Sequence, residues 1–399
     1  MFHVQSRHIR TQKFVQHKVN VTFLSILIPT RDRGIYLDAA LKSALDQSSD
    51  DFEIVVQDNA SEDHTEALCK AIPDERVKYF KSTDRLSMSD NWEAGVQRCK
   101  GKYVVIVGDD DAVVVQSIHE FVNAAEAQNC PELVAWNLPY YRWPAEGGLD
   151  SVFSVPAAAA AGQVSLVEKS NRAMWSGGLF YASLPRGYHT AVRRDIYDAL
   201  RAQHGRVFFT TLPDVYLALT LSSILESAYF LDFPVTIIGN SPKSNGAAFY
   251  TRSNARANHQ RFISEFNDYK LDERANVGLD TLPQWWIETA FVTRDQHPQR
   301  WANVAISSSF FWAYWVVVAD AVWKRGVNAS TVISQRSRLT RRQAFSTTMF
   351  CIYYLLLQPW QAARRIRDSV RRMLAAWSGT QRTFATIYEF SQSIRRPGT

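Results

Sequence analysis

The stretch that decides the fold is KYVVIVGDDDAV, residues 102–113, where a run of apolar residues ends in three consecutive aspartates. An uninterrupted apolar, β-branched run of this length is typical of a strand buried on both faces, as in parallel sheets. Three neighbouring carboxylates strongly disfavour joint ionisation unless a cation neutralises them, and a hard divalent ion prefers oxygen ligands. The stretch therefore predicts a metal site at Asp109, Asp110 and Asp111, with a solvated acidic turn as the alternative.

Two apolar runs upstream have the same form, each ending in polar residues. FLSILI (23–28) is followed by PTRDR, and FEIVV (52–56) is followed by Gln57-Asp58. Apolar residues at helical spacing over 35–47, and helix-start residues near Ser61, separate these runs. Alternating strands and helices predict an α/β fold with a mostly parallel, Rossmann-like sheet flanked by helices. In such sheets, ligands bind at the carboxyl ends of the strands, where these polar residues lie.

Composition and charge restrict the domain organisation, the binding partners and the cellular setting that the chain can have. The chain has 399 residues and a formal net charge of +6, which suits one large domain with an appendage. Residues 321–399 hold fourteen Lys/Arg against two acidic residues, so an acidic body carries a basic tail. No nucleic-acid-binding motif accompanies the tail, so we expect no nucleic-acid partner. The four cysteines form no C-x-x-C pair, which indicates a reducing, cytoplasmic setting.

Domain boundaries follow from these patterns. Residues 1–20 are a basic extension without the apolar segment of a secretory signal. Residues 21–250 form the predicted catalytic domain, with a nucleotide-sugar half to about 115 and an acceptor half from about 116. Residues 251–399 form a helical, aromatic and basic C-terminal region.

Four segments resemble, in order and spacing, the motifs of the family-2 inverting glycosyltransferases. They are SILIPTRDR (25–33), VVQDNASEDHT (55–65), NWEAGVQRCKGKYVVIVGDDDAV (91–113) and LPDVYLAL (212–219). The resemblance is close over about residues 23–115, thins over 116–240 and is absent from the tail. It implies a GT-A fold and transfer of a sugar, with inversion, from a nucleotide-diphospho-sugar that is usually a uridine one.

The resemblance also implies a set of binding residues and a Mn²⁺ or Mg²⁺ cofactor. It assigns the nucleotide-sugar to Pro29, Thr30, Arg33, Asp58, Asn91, Asp109 and Asp110. It assigns the metal to Asp111, with Asp109 towards the ribose or the metal. The chain departs from the family pattern in having Asp32 where Asn is frequent and Gly-Asp-Asp-Asp as its acidic motif. The register of the metal ligand within 109–111 therefore stays open.

The expected catalytic base is a carboxylate that takes the proton of the acceptor hydroxyl. Asp214 matches the family's base motif in position, and it opens an apolar helix after Pro213. A carboxylate at a helix start also simply favours the helix dipole, so a structural role is the alternative. Asp195 and Glu226 are the other candidates for the base.

Three more residues are predicted to contact the acceptor or the phosphates. Arg186 and His189 lie in LFYASLPRGYHTAVRRD (179–195), between the acidic cluster and Asp214. Ser244 lies in the loop SPKSNGAAF (241–249), whose residue types suit backbone contact with phosphate. A structural histidine and an ordinary surface loop are the alternatives.

The C-terminal region predicts contact with an anionic membrane surface. Residues 301–319 and 345–363 are uncharged and rich in aromatic residues, but polar residues and Pro359 interrupt them. After Pro359, apolar residues recur at helical spacing opposite arginines, which is typical of an interfacial helix. Peripheral attachment at the inner membrane face is favoured over spanning helices or packing on the protein. It would suit a saccharide acceptor carried on a lipid.

Two other functions remain as alternatives. One is a catalytically inactive nucleotide-sugar-binding module or membrane scaffold. The other is a sugar-nucleotide nucleotidyltransferase, which is ranked low because the first strand is followed by PTRDRG and not by a glycine-rich phosphate loop. The sequence does not identify the sugar, the acceptor or the oligomeric state.

Overall fold

The structure is a computed structural model and describes residues 22–144, 152–156, 159–244, 255–266, 270–275, 282–314, 349 and 384–394. The described strands are β1 (Leu24–Thr30), β2 (Phe52–Asp58), β3 (Val77–Lys81), β4 (Tyr103–Ile106), β5 (Ala112–Val113), β6 (Leu133–Trp136), β7 (Tyr140–Arg142), β8 (Val152–Ser154), β9 (Gly162–Ser165), β10 (Ala191–Arg193), β11 (Ser227–Leu231) and β12 (Thr236–Asn240). The described helices are α1 (Gly34–Leu45), α2 (Thr65–Lys70), α3 (Met88–Arg98), α4 (Ser117–Ala127), α5 (Val167–Trp175), α6 (Arg194–His204), α7 (Pro213–Ile224), α8 (Ala255–Ser264), α9 (Leu282–Gln296), α10 (Pro298–Trp301), α11 (Ser308–Tyr314) and α12 (Ile387–Ser393).

The main sheet has eight strands in the order β3-β2-β1-β4-β10-β6-β11-β9. The first four strands run parallel, β10 is antiparallel to both of its neighbours, and β6 pairs with β11 in parallel. A second, four-stranded sheet has the order β5-β12-β7-β8. The predicted α/β fold with a mostly parallel sheet flanked by helices is therefore confirmed.

The central strands separate two apolar layers. In β1, Ile26 and Ile28 pack with residues of α1 and α4 on one side of the sheet. Leu27 faces the other side and packs with residues of α3, α6 and α7. Because helices cover both faces of β1, neither face meets water, and the strand is apolar along its length. This is the physical origin of the uninterrupted apolar runs in the sequence.

The first strand continues past the point where its sequence predicts an end. Pro29 lies inside β1, opposite Gln57 of β2. The pairing of β1 with β4 ends at Leu27 and Ile106, and the last bond on that side runs from the Val107 amide to the Leu27 carbonyl. Alternation of the backbone directs the missing N–H of Pro29 to the side where the ladder has ended, so the proline leaves no bond unmade.

Several strands that the sequence analysis did not predict complete the two sheets. The strands β5, β7, β8, β9 and β10 have two to four residues each, too few for a periodic pattern to emerge. The antiparallel strand β10 ends at Arg193, and α6 begins directly after it at Arg194. The helix α2 begins at Thr65 and not near Ser61, because the Asp63 carboxylate accepts the Thr65 amide at 3.0 Å.

The described end of the C-terminal region returns to the catalytic fold. The Tyr141 hydroxyl donates to the Phe384 carbonyl at 2.9 Å, and the Tyr388 hydroxyl donates to an Asp46 carboxylate oxygen at 3.0 Å. Phe390 of α12 stacks on Tyr141 with ring centroids 5.8 Å apart. The predicted boundary at residue 250 therefore does not separate this last segment from the body, and the domain division stays a prediction.

The remaining predictions for the two ends of the chain fall largely outside the described residues. The basic extension 1–20 and most of both aromatic windows lie there, as does the amphipathic stretch after Pro359. Within the described part of the chain, no helix combines the length and the apolar character needed to cross a membrane.

One close approach joins the two sheets beside the acidic turn. A Cβ atom on Gly239 of β12 would lie 1.6 Å from the Asp110 carbonyl oxygen. That carbonyl accepts the indole N–H of Trp143 at 2.8 Å, and the Gly239 amide donates to Asp111 Oδ1 at 2.6 Å. Movement of either backbone segment away from the other would break one of these two hydrogen bonds.

We expect Gly239→Ala to lower the free energy of unfolding by about 3 kcal/mol, the upper end of the range for overpacking. The control is Gly205→Ala, because a Cβ there meets no heavy atom within 4 Å and only its φ of +81° opposes the change. Urea unfolding of both variants measures the difference. Equal losses in the two variants would show that the contact with Asp110 is not rigid.

Candidate functional site

A cavity of about 350 Å³ opens at the carboxyl ends of β1, β2 and β4. Its lining comes from the turn after β1, the start of α3, the acidic turn after β4, the loop after β12, and α8. The lining residues are Pro29, Thr30, Arg31, Asp32, Arg33, Asn59, Met88, Asn91, Trp92, Gly108, Asp109, Lys243, Arg261, Phe262 and Glu265. The predicted binding residues Pro29, Thr30, Arg33, Asn91 and Asp109 thus meet at one cavity.

Asp109 is the member of the acidic run that faces this cavity. Its Oδ2 accepts the Thr30 hydroxyl at 2.8 Å, and its Oδ1 lies 3.0 Å from Nη1 of Arg33. The Arg33 guanidinium also donates to the Lys243 carbonyl at 2.5 Å, so it links the turns after β1 and β12. A carboxylate, a hydroxyl and a guanidinium from three separate segments are thereby fixed at the cavity wall.

Asp111 points into the protein. Its Oδ2 accepts the Gly108 amide at 2.6 Å, and its Oδ1 accepts the Gly239 amide at 2.6 Å. His189 Nε2 lies 2.9 Å from Oδ2, a contact that becomes an ion pair when the imidazole is protonated. Both oxygens of Asp111 are therefore committed to closing the turn and to joining it to β12.

His189 is held in a buried polar chain. Its Nδ1 lies 2.9 Å from the Thr236 hydroxyl, which also accepts the Trp136 indole N–H at 2.9 Å. The residue is 1% exposed and has a left-handed backbone with φ of 59°. Its predicted contact with acceptor or phosphate stays a prediction; the described contacts place it between Thr236 and Asp111.

Asp110 lies between these two neighbours. Its Oδ2 accepts the Ser241 amide at 3.0 Å, and the residue is buried and is not part of the cavity lining. Burial, followed by the charges of Asp111 and Asp109, raises the pKa of Asp110 above its ordinary value, and Arg33 opposes the rise. A raised carboxyl pKa reports negative charge that the protein does not fully compensate.

The available carboxylate ligands suit a hard divalent cation at Asp109 and Asp110 better than at Asp111. Asp109 lines the cavity and Asp110 accepts one backbone amide, whereas Asp111 already accepts two. Among the residues that the structure describes, no three His, Cys, Asp or Glu side chains converge as a complete ligand set. Ligands from substrate phosphate and water would therefore have to complete the coordination sphere, as is common for Mg²⁺.

Of the predicted binding residues Asp58 and Asn91, only Asn91 lines the cavity. Asp58 is fully buried, and its carboxylate accepts the Ser61 amide at 2.9 Å and the Tyr79 hydroxyl at 2.6 Å. It is not part of the cavity lining, which its neighbour Asn59 joins instead. Asn91 lines the cavity, and its buried Oδ1 has no hydrogen-bond partner in the structure. A buried amide oxygen without a partner beside a cavity is a ready acceptor for a ligand N–H or O–H.

Asp214 lies at the start of α7, near Arg186 and Tyr188. It is half-buried, and burial raises its pKa, although the Arg186 charge and backbone amides at the helix start oppose the rise. Burial also raises the pKa of Tyr188, and the charges of Asp111 and Asp214 add to that rise. The segment 186–189 therefore bridges the acidic turn and Asp214, as its place in the sequence predicts.

The two other candidates for the base have less suitable surroundings. Asp195 is bound to Arg193 at 2.7 Å, and that hydrogen bond holds its pKa below the ordinary value. It also follows the end of β10, which is antiparallel to β4, so it lies at the opposite edge of the sheet from Asp109. Glu226 is exposed at the end of α7, twelve positions after Asp214.

Ser244 and the unpredicted lining residues complete the site. The Ser244 amide donates to the Ser241 carbonyl at 3.0 Å, and Lys243, not Ser244, lines the cavity. Sequence reasoning missed Trp92, although it lies in a quoted motif beside Asn91. It also missed Arg261 and Phe262 of α8 and Glu265 directly after it, for which no local signal exists, because the Arg31–Glu265 ion pair at 2.7 Å joins residues far apart in sequence.

Residues 25–144 match the family model described as Glycosyl transferase family 2. A Campylobacter jejuni protein named GalNAc(5)-diNAcBac-PP-undecaprenol beta-1,3-glucosyltransferase is 30% identical over 105 residues, which cover 26% of this chain and 34% of that protein. The Rhizobium meliloti succinoglycan biosynthesis protein ExoO is 32% identical over 88 residues, which cover 22% of this chain and 25% of that protein. The chain thus spans about a third or less of the length of these relatives.

Among solved structures, S. aureus TarS 1-349 in complex with UDP-GlcNAc aligns with a TM-score of 0.47 and 14% identity. The alignment covers 82% of this chain and 91% of that one. The family match spans β1 to β7 and includes the acidic turn and most of the cavity wall. Residues 25–144 of this chain are a glycosyl transferase family 2 domain.

Proposed function

We propose that this chain transfers a sugar, with inversion, from a uridine-diphospho-sugar to an acceptor hydroxyl, and that Mn²⁺ or Mg²⁺ is required. The observation that carries the proposal is the Asp109 carboxylate, fixed by Thr30 and Arg33 at a cavity where three parallel strands end. The carboxyl edge of a parallel sheet is where nucleotide ligands bind in folds of this class. The cavity volume of about 350 Å³ lies within the range of small-molecule sites.

The cavity lining suits the parts of a nucleotide-diphospho-sugar. Arg33, Lys243 and Arg261 bring positive charge to the wall, as a diphosphate requires. Trp92 offers an aromatic face for a base or a sugar ring, and the unpartnered Asn91 Oδ1 offers an acceptor. Asp58 would not contact the nucleotide-sugar directly. It would act by holding the end of β2 in place through its bonds to Ser61 and Tyr79. These complementary features support a charged, ring-containing donor over an apolar ligand.

Asp109 and Asp110 are the residues that would hold the metal ion. In the Gly-Asp-Asp-Asp motif, this choice replaces the predicted ligand Asp111, whose oxygens already accept two backbone amides. A divalent cation bound there would neutralise negative charge on the departing diphosphate. The protein's own contribution is to keep the Asp109 carboxylate at the cavity wall, with Arg33 beside it before the donor binds.

Asp214 is the proposed general base. Its raised pKa brings the carboxylate closer to the range in which it accepts a proton effectively from a hydroxyl. The acceptor oxygen would lose its proton to Asp214 while it forms a bond to the anomeric carbon. The bond from that carbon to the diphosphate oxygen would break on the opposite face, which inverts the configuration. Arg186 and Tyr188 would set the position of the carboxylate.

A saccharide carried on a lipid is the proposed acceptor, at the inner face of a membrane. The name of the Campylobacter jejuni relative describes a transferase that acts on an undecaprenol-linked saccharide. The basic tail of this chain adds an independent reason, because arginines opposite apolar residues favour an anionic interface. Synthesis of a cell-surface polysaccharide or glycoconjugate is the corresponding process.

Asp109→Asn tests the metal-dependent function. Because the amide carries no charge for the cation, we expect kcat/KM for transfer from a UDP-sugar to fall by about 100-fold or more. We also expect Mn²⁺-dependent donor binding, followed by calorimetry, to weaken. The matched control is Asp195→Asn at the opposite sheet edge, which should retain both properties. Unchanged transfer in Asp109→Asn, or no donor binding by the wild type with metal, would reject the proposal in favour of a non-catalytic module.

Asp214→Asn tests the base. We expect a loss of about 10²–10⁴ in kcat with donor binding retained, since only proton transfer is removed. Because burial raises the pKa of Asp214, wild-type activity should fall as the pH drops through a value above the ordinary Asp pKa of about 3.9, where the carboxylate becomes protonated. The asparagine variant should lack this acidic limb in its pH–rate profile. An identical limb in both proteins would assign it to another group.

Charge removal in the tail tests membrane attachment. Replacement of Arg364, Arg365, Arg371 and Arg372 by Gln in the full chain should reduce sedimentation with phosphatidylserine-containing vesicles, because each basic residue contributes about 1 kcal/mol at such a surface. The control replaces Lys42 and Lys70, exposed cations on α1 and α2, by Gln. Equal vesicle binding by both variants would contradict an electrostatic role for the tail.

A further inference from the structure

The C-terminal segment 384–394, which contains α12, is packed against the second sheet. Ile387 and Phe390 of α12 are fully buried and belong to one apolar cluster with Tyr141 of β7. The rings of Phe390 and Tyr141 are stacked, with centroids 5.8 Å apart and planes inclined by 26°. The Tyr141 hydroxyl also donates to the Phe384 carbonyl at 2.9 Å. Tyr141 is therefore held by a segment that lies more than two hundred positions after it in the chain.

Trp143, which follows β7 directly, connects this packing to the acidic turn. Its ring lies edge-on to the ring of Tyr141, with centroids 5.5 Å apart, and edge-on to that of Tyr36 of α1, with centroids 5.0 Å apart. Its amide donates to the Asn240 carbonyl at 3.1 Å, and its indole N–H donates to the Asp110 carbonyl at 2.8 Å. Because the backbone and the ring of Trp143 are both held, its indole N–H has a fixed direction.

The hydrogen bond from Trp143 acts on the backbone of the acidic turn. The Asp110 carbonyl belongs to the peptide group that joins Asp110 to Asp111, and a peptide group is planar. Fixing that carbonyl therefore restricts the backbone torsions on both sides of the peptide group, on which the directions of the neighbouring side chains depend. Gly239 of β12 touches the same carbonyl, since a Cβ there would lie 1.6 Å from its oxygen. The peptide group is thus bonded to Trp143 and packed against β12.

We propose that Trp143, held in place by residues 384–394, is a positioning residue for the donor site: it orients the acidic turn so that its carboxylates meet the metal and the diphosphate of the donor. This inference rests on the proposed function, which supplies the donor and the metal. Trp143 is not part of the cavity lining, whereas Asp109, one residue before Asp110, is. Trp143 therefore acts through the turn and does not contact the donor. By the same contacts, the last described residues of the chain contribute to donor binding from outside the cavity.

Trp143→Phe tests the role of the indole N–H, because phenylalanine keeps an aromatic ring near Tyr36 and Tyr141 but donates no hydrogen bond. We expect the affinity for UDP in the presence of Mn²⁺, measured by calorimetry, to fall by about five- to ten-fold, the effect of one lost hydrogen bond. The affinity for UDP without metal should not change. Hydrogen exchange in the peptide of residues 107–114, measured without metal or UDP, should become faster because the turn opens more readily.

The matched control is Trp301→Phe, which removes an indole hydrogen bond of the same length, to the Ser223 hydroxyl near the end of α7. We expect this variant to keep the wild-type UDP affinity and the wild-type exchange rate in residues 107–114, even where its Tm falls. Equal effects of the two substitutions would overturn the inference, since they would reflect a general loss of stability. Wild-type affinity and exchange in Trp143→Phe would overturn it as well.

Phe390→Ala in the full chain tests the contribution of the C-terminal segment. Loss of the ring removes the stack on Tyr141, so we expect faster exchange in residues 107–114 and weaker Mn²⁺-dependent UDP binding, as in Trp143→Phe. Phe390→Leu keeps most of the apolar volume and should lie closer to the wild type. Where Phe390→Ala does not fold, Tyr141→Phe replaces it, since it removes only the bond to the Phe384 carbonyl. Wild-type exchange and UDP binding in the folded variant would contradict a role for the segment.

The measurements also separate this inference from the proposed function. If the wild type binds no UDP-sugar with Mn²⁺ or Mg²⁺, the proposed function fails, and the exchange of residues 107–114 still decides whether Trp143 holds the turn. If the wild type binds and transfers while Trp143→Phe matches it in affinity and exchange, the proposed function stands and the positioning role fails.

Discussion

The hydrogen bonds that Asp111 accepts from Gly108 and Gly239 hold the candidate site together. One bond closes the turn after β4 upon itself, and the other attaches that turn to β12 of the second sheet. A carboxylate that bonds two backbone amides gains more than a neutral acceptor would, and a buried one that lost them would keep an unsolvated charge. The position of the whole acidic turn depends on this buried carboxylate, and His189 Nε2 lies 2.9 Å from it on the other side.

Because Asp111 is turned inward, its neighbours can be turned outward. Consecutive side chains in a tight turn cannot all face one direction, and here Asp109 lines the cavity while Asp110 and Asp111 accept backbone amides. Asp109 reaches Thr30 and Arg33 across the carboxyl ends of β1 and β4. Burial, followed by the charges of Asp111 and Asp109, raises the pKa of Asp110. The turn thus places three residues of one type in three different surroundings.

A large part of the fold follows from sequence because its causes are local. Continuous apolar runs predicted β1, β2 and β4, since strands covered on both faces leave no polar alternation. Helical spacing predicted α1 and α7, and the polar residues after the strands predicted where a ligand site would form. Short strands such as β5 and β10 escaped prediction, because they exist only through pairing with segments distant in the chain.

The sequence by itself determined the α/β class, the parallel core, the family-2 domain and the strand edge at which the polar residues collect. Only the tertiary structure decided which aspartate faces the cavity, that Asp58 is bonded to Tyr79, and that Arg261 of α8 and Glu265 after it join the wall. The reason is physical. Periodicity and apolar runs depend on neighbouring residues, whereas the direction of the Asp111 carboxylate also depends on an amide more than a hundred residues away. Gly239, which receives Asp111, lies 128 positions after it.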